Sequence, residues 1–307
     1  MALQPTIHNV IKKLDTAIIG KQQQIKLALA CLLANGHLLI EDLPGMGKTT
    51  LAHGLANVLG LNFSRVQFTS DLLPADVLGV NIFDSAKQQF SFHPGPIFSN
   101  VILSDEINRA SPKTQSALLE AMEEHQVSID GVTHALPSPF FVIATQNPLH
   151  QSGTYPLPES QLDRFLMRIQ IGYPSQQAEM AMLQAQFDDN SNRLQAELTP
   201  EQLKQAQQQV ANVSVSNDIL RYVLRLVTLS RESSEFANAL SPRASKAIIR
   251  SAKSWAYIEG RDFVIPEDIQ AILPSVAEHR LRSAQSDLID SQSYSAILLK
   301  SVDPLAA

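Results

Sequence analysis

The chain has 307 residues, 44% of them hydrophobic and 18% charged, which suits a folded protein of one large or two smaller domains and excludes a disordered chain. Thirty acidic residues against 24 basic ones leave a net charge of −6, which argues against a protein built around a nucleic-acid backbone. The single cysteine, Cys31, admits no internal disulfide and reads as a buried small hydrophobe; no Cys/His spacing suggests zinc. The first fifteen residues lack an apolar signal region and no apolar stretch is long enough to span a membrane, so a cytoplasmic protein is expected.

In chain order, residues 21–35 have the apolar spacing of a helix, with Ile25, Leu29 and Leu32 on one face. The short apolar run His37–Ile40 follows and ends in a glycine turn; residues 51–59 are again helical. A second run, Val101–Leu103, ends in Ser104-Asp105-Glu106. Ser111-Pro112 then has the form of an N-cap followed by a first-turn proline, opening a helix to about Glu124. Asp130-Gly131 marks a hairpin within Val127–Leu136. Two further runs are Phe140–Ala144, leading to Thr145-Gln146-Asn147-Pro148, and Phe165–Ile171. Continuous apolar runs separated by helices predict a parallel sheet covered on both faces. Beyond Pro174 the strand runs stop and helix starts appear at Thr199-Pro200, Ser241-Pro242 and Ile265-Pro266. The expected organisation is an α/β core over 1–173 and an all-helical domain over 174–307.

Four features carry chemistry. Pro44-Gly45-Met46-Gly47-Lys48-Thr49 is most of a phosphate-binding loop. Its glycines let backbone N–H groups face phosphate oxygens, Lys48 reaches the β- and γ-phosphates, and Thr49 offers a hydroxyl to Mg²⁺. Asp42 stands where the strict pattern has its first glycine. Asp105 and Glu106, at the end of an apolar strand, suit a Mg²⁺ shell and the polarisation of an attacking water. Asn147, at another strand end, could orient that water or simply form a turn before Pro148. Arg164 and Arg243 could stabilise a transferring phosphoryl group, or could be ordinary ion-paired surface charges.

These elements in this order resemble an AAA+ ATPase. Leu43–Thr49, the run Asp105-Glu106-Ile107-Asn108-Arg109-Ala110-Ser111-Pro112-Lys113-Thr114-Gln115, Ala144–Pro148 and Leu157–Phe165 closely resemble the MoxR family. Ser241–Ala244 and Glu259–Phe263 resemble its C-terminal lid. The resemblance implies a P-loop AAA+ core, whose parallel sheet is sandwiched by helices, followed by a helical lid. It implies that Pro44, Gly45, Met46, Gly47, Lys48, Thr49 and Thr50 cradle ATP, that Asp105 holds Mg²⁺ with Thr49, and that Glu106 is the catalytic carboxylate. Asn147 matches sensor 1, and Arg164 matches an arginine finger acting in trans, with Arg168 as a second candidate. Arg243 matches sensor 2, reaching back from the lid. Ile19-Gly20 aligns with the segment that contacts adenine.

The resemblance further implies a ring, usually a hexamer, and a chaperone-like role toward protein partners, among them proteins with von Willebrand factor A domains. An insert at about 70–98 is similar to the helix-2 insert of the same clade. Val80–Phe83 and Phe90–Phe92 are its two expected strands, which would either touch a client or cover a sheet edge; His93 reads as a turn residue rather than a metal ligand, since no second ligand stands at suitable spacing. The alternative is a nucleic-acid motor of that clade, which the acidic balance disfavours. A GTPase would need a guanine-reading motif in place of Asn147-Pro148-Leu149-His150. A small-molecule kinase has no use for the arginine pair and helical lid. Glu106 argues against a scaffold that binds ATP without turnover.

Overall fold

The computed structural model describes residues 3–147, 153–184, 194–283 and 293–304; Pro148, Leu149 and His150 lie outside them. Two helices, α1 (Gln4–Ala17) and α2 (Gln22–Leu33), precede strand β1 (Leu38–Glu41), which leads through the glycine turn into α3 (Lys48–Val58). There follow β2 (Phe63–Gln67), α4 (Pro74–Leu78) and a hairpin of β3 (Gly79–Asp84) and β4 (Gln89–Pro94). Strand β5 (Val101–Asp105), α5 (Pro112–Glu124) and a second hairpin, β6 (Gln126–Ile129) with β7 (Val132–Ala135), come next. Strand β8 (Phe141–Gln146), the one-turn α6 (Glu159–Leu162) and β9 (Met167–Ile169) complete this half. Then come α7 (Gln176–Gln184), α8 (Pro200–Ala211), α9 (Asn217–Glu232), α10 (Pro242–Ile258), α11 (Pro266–Ala277) and α12 (Tyr294–Ser301). One short antiparallel pair, β10 (Phe236–Asn238) with β11 (Arg282–Ser283), joins the connection between α9 and α10 to the segment after α11, a detail that its helix starts do not announce.

The central sheet is parallel, in the order β2-β5-β8-β1-β9. Its strands read as continuous apolar runs because both faces are covered. Leu38, Ile40, Leu103 and Ile143 point into one core with α1, α2 and α3, while Leu39, Ile102, Val142 and Ala144 point into the other with Leu118 and Met122 of α5. The first core runs on without a break into Tyr222, Ile248, Trp255 and Leu273 of the second half. Removing such a buried Leu or Ile to Ala costs roughly 2–5 kcal/mol.

Four expectations need adjusting. His93, expected in a turn, lies in β4 opposite Val80 of β3. Strand β2 has no apolar run because it is the sheet's edge, and only Val66 of its five residues is buried. The helix expected at 51–59 begins at Lys48, inside the glycine turn itself. The run 165–171 is strand only over Met167–Ile169: Leu166 instead turns inward, its N–H donating to the His37 carbonyl at 2.9 Å. His37 is itself a structural tie, with Nδ1 accepting from the Val142 N–H (3.0 Å) and Nε2 facing the Met122 carbonyl (3.2 Å). Cys31 is fully buried, its thiol facing the His37 carbonyl, and burial holds it protonated well above the ordinary thiol range.

Candidate functional site

Ligands in open parallel sheets bind beyond the carboxyl ends of the strands. Here those ends form a cleft of about 650 Å³ lined by Pro44, Gly45, Gly47–Thr50, Asp105, Glu106 and Asn147, together with Arg65, Gln67, Thr69 and Arg109. Gly45 and Gly47 have φ of +83° and +84°, a region that favours glycine, and a Cβ built on either would meet nothing within 4 Å. The loop is an open cradle ahead of the α3 N-terminus, where backbone N–H groups and the helix dipole favour an anion.

Asp42 explains its departure from the strict pattern. One carboxylate oxygen accepts from the Leu43 N–H (2.9 Å), and the other from the N–H groups of Ile171 (2.7 Å) and Gly172 (2.6 Å). Its carbonyl accepts from Lys48 Nζ at 2.7 Å. A glycine could do none of the side-chain work, which ties the phosphate loop to the chain leaving β9. Burial lowers the Lys48 pKa, against the opposing pull of Asp105, Asp42 and Glu106.

The two strand-end carboxylates are held by neighbours on both sides. Thr145, fully buried on β8, donates to Asp105 Oδ1 (2.6 Å) and accepts from the Glu106 N–H (2.9 Å). Arg65 on β2 donates to Asp105 Oδ2 at 2.6 Å, and Gln67 Nε2 to Glu106 Oε2 at 2.8 Å. Glu106 occupies the left-handed region (φ +56°), a strained conformation for a side-chain-bearing residue and one often found at functional sites. The motif beyond it folds as expected from its residues: Ser111 caps α5 through the Thr114 N–H, and the buried Gln115 amide gathers the carbonyls of Ile107, Ala110 and Tyr155. Arg65 and Gln67 carry no motif of their own in the sequence; they reach the cleft because β2 pairs with β5 at the sheet's edge.

Oxygen donors suit Mg²⁺, which takes one or two protein groups and keeps its remaining contacts for phosphate and water. Thr49 and Asp105 in one cleft with an open phosphate cradle fit that requirement.

The arginines stand elsewhere. Arg164 and Arg243 line a second cleft, of about 360 Å³, with Glu123, Asp163, Lys246, Arg250 and Arg280. Arg243, expected to reach back to the nucleotide of its own chain, is not among the residues lining the phosphate cleft. The reason is the packing of α10 along α2 and α11, which sets its first turn beside the end of α5: Arg243 pairs with Glu123 at 2.6 Å. Arg168, the second finger candidate, lies within β9 and pairs with Glu41 of β1 at 2.6 Å. Arg280, nearly buried, fixes the segment carrying Arg164 by donating to Asp163 Oδ1 (2.6 Å) and to the Phe165 carbonyl (2.7 Å). Ile19 and Gly20 are not among the phosphate-cleft residues either. They lie where the next residue, Lys21, bonds the carbonyls of Ile171 and Tyr173, the same segment that Asp42 holds.

A P-loop, paired strand-end carboxylates and a helical lid define an AAA+ ATPase. Residues 37–167 match the ATPase family associated with various cellular activities (AAA), and residues 228–298 match the AAA lid domain. The chain is 45% identical to the uncharacterized protein YeaC of Bacillus subtilis, over 91% of this chain and 88% of that protein. It is 39% identical to chaperone MoxR1 of Mycobacterium tuberculosis, over 98% of this chain and 82% of that protein. A crystal structure of a Cytophaga hutchinsonii protein with an ATPase assignment superposes with a TM-score of 0.90 at 34% identity, covering 98% of this chain and 96% of that one. The chain belongs to the MoxR family of AAA+ ATPases and is an ATP hydrolase. Among the described residues no helix is long and apolar enough to cross a membrane.

Proposed function

We propose that the protein is a Mg²⁺-dependent, ring-forming ATPase of the cytoplasm that remodels protein partners, with each nucleotide held between two copies. The observation that carries this reading is the division of one catalytic set between two clefts. Lys48, Thr49, Asp105, Glu106 and Asn147 share the phosphate cleft, and Arg164 and Arg243 share the other. A lone chain can hold the phosphates, but it does not bring these arginines to them. A second copy, laying its arginine cleft against the first copy's phosphates, completes the set.

In this reading the backbone of Gly45–Thr50 and Lys48 hold ATP, with Ile19 and Gly20 beside its base. When bound, Mg²⁺ neutralises charge on the phosphate oxygens, and Thr49 and Asp105 would hold it. Glu106, aimed by Gln67 and Thr145, takes the proton of an attacking water that Asn147 orients. Residues 1–173 form the nucleotide-binding core and 174–307 the lid.

The insert hairpin supports a client-binding role. Ile82, Phe83 and Phe90 on it, and Val132 on the second hairpin, are exposed apolar side chains. The hairpins are joined by an Asn81–Asp130 hydrogen bond (2.7 Å) and by Phe92 stacked on His134 (4.1 Å). Gly79 and Gly95 close the neck of the insert so tightly that a Cβ on either would strike the other's backbone N–H. Proteins with von Willebrand factor A domains are the first partners to try.

The test is ATP turnover against protein concentration, with size measured alongside. Turnover per chain should rise as copies associate. Equal turnover by a dilute monomer overturns the shared site.

A further inference from the structure

The arginine cleft contains a carboxylate to which the reading above gives no task. Glu123 lies at the end of α5, on neither the segment carrying Arg164 nor the helix carrying Arg243. Its Oε2 lies 3.2 Å from the Arg164 guanidinium and its Oε1 accepts from Arg243 Nη2 at 2.6 Å. One carboxylate therefore spans two guanidiniums from distant parts of the chain, with one oxygen for each, as two oxygens of a phosphate group would.

Its neighbour Asp163 is occupied differently. It pairs with Arg280 at 2.6 Å and accepts from the Ser241 hydroxyl at 3.3 Å, while Arg243 stands 3.9 Å away. Asp163 builds the wall, and Glu123 holds the two arginines. The Glu123 side chain is 39% exposed, Arg164 30% and Arg243 49%, so all three are open to a second molecule. Half-exposed ion pairs are weak and exchange readily for a stronger anion. Five cationic side chains line this cleft against two carboxylates, so it retains a surplus for a multiply charged ligand once Glu123 steps aside.

We infer that Glu123 is an internal counter-anion for Arg164 and Arg243, displaced by the terminal phosphate of ATP held on an adjacent copy. The inference rests on the shared-site reading above. Glu123 is a positioning residue: it keeps both guanidiniums facing one point, and it makes engagement depend on an anion that outcompetes it. The γ-phosphate carries more charge than a carboxylate and offers several oxygens, so it displaces Glu123. ADP ends one phosphate deeper in the cradle and cannot. Glu123 thereby makes association of the copies selective for the triphosphate.

The test is sedimentation velocity of the full chain titrated with ATP or ADP, in a Glu106→Gln background so that ATP persists. With Glu123 present, ATP should drive association at far lower concentration than ADP. Glu123→Gln, of the same shape without the charge, should reduce that preference by about tenfold, the scale expected for losing two exposed charge pairs, with melting temperature and the ATP affinity of the phosphate cleft unchanged. Glu123→Ala should do the same, which guards against an effect peculiar to the amide. A preference for ATP that survives both substitutions in folded protein overturns the inference. If Arg164→Ala and Arg243→Ala, made with Glu106 intact, also associate and turn over ATP normally, the shared-site reading falls with it. If they lose turnover while the Glu123 variants keep the preference, only the role of Glu123 falls.

Discussion

The two clefts are built on opposite plans. The phosphate cleft draws on strand ends and the loops that follow them, and each of its principal residues sits in a short stretch with its own pattern: a glycine turn, an apolar run ending in Asp-Glu, another run ending in Asn. The arginine cleft gathers the end of α5, the segment before β9, and the first turn of α10, and it is braced by Arg280 after α11. Nothing local in any of those segments specifies the others. The first cleft is a property of the sheet; the second exists only because the lid packs where it does.

Substitutions can separate the two. The largest effect belongs to Lys48→Ala, which should abolish nucleotide binding measured by calorimetry, because no other cation reaches the cradle from α3. Arg164→Ala should leave that affinity in place and lower turnover roughly 10³–10⁵-fold, the scale of an arginine that stabilises the transferring phosphoryl group. Glu106→Gln should also bind ATP and lose roughly 10²–10⁴-fold in turnover. Mixing these last two inactive proteins sharpens the comparison. Some contacts in the mixture would pair an intact phosphate cleft with an intact arginine cleft, so turnover should reappear; a mixture as dead as its components would show that both halves must lie in one chain.

Smaller effects test how the second cleft is held. Arg280→Ala removes the ion-pair partner of Asp163 and a donor to the carbonyls of Phe165 and Leu166, and should cost about 3–5 kcal/mol in denaturant unfolding. Turnover should fall with it, while nucleotide affinity of the folded protein remains. Acid acts on the same neighbourhood. Burial pushes the His37 pKa down to about 4, and drives that of His279, beside Arg280, well below its ordinary value. Well above pH 6.5 these imidazoles are neutral folded or unfolded and contribute no pH dependence. As pH falls from 6.5 towards 4 the unfolded chain takes up protons that the folded chain refuses. Stability should therefore drop, by up to about 3 kcal/mol from His37, in chemical denaturation across that window. A flat profile would mean that these rings protonate without unfolding.

Much of the fold was legible because local rules suffice for it. Val101–Leu103 and Phe140–Ala144 are apolar throughout because both faces of a central parallel strand are buried, and Ser111-Pro112 caps a helix by its own side chain and ring. Strand β2 was not legible: an edge strand with one buried residue carries neither a buried run nor a clean alternation, and Arg65 and Gln67 were lost with it. Arg243 was legible as a residue but not as a place, since its pairing with Glu123 depends on how α10 lies across α2.

The sequence by itself determined the phosphate loop, the strand-end carboxylates and the helical second half, because each is specified by neighbours a few residues apart through backbone geometry and periodicity. Only the tertiary structure decided that Asp42 locks the loop to the chain beyond β9, that Gln67 holds Glu106, and that Arg164 and Arg243 share one carboxylate in a cleft separate from that of the glycine turn. Those contacts join residues tens to more than a hundred positions apart. Their geometry follows from how the two cores pack, which no local pattern encodes.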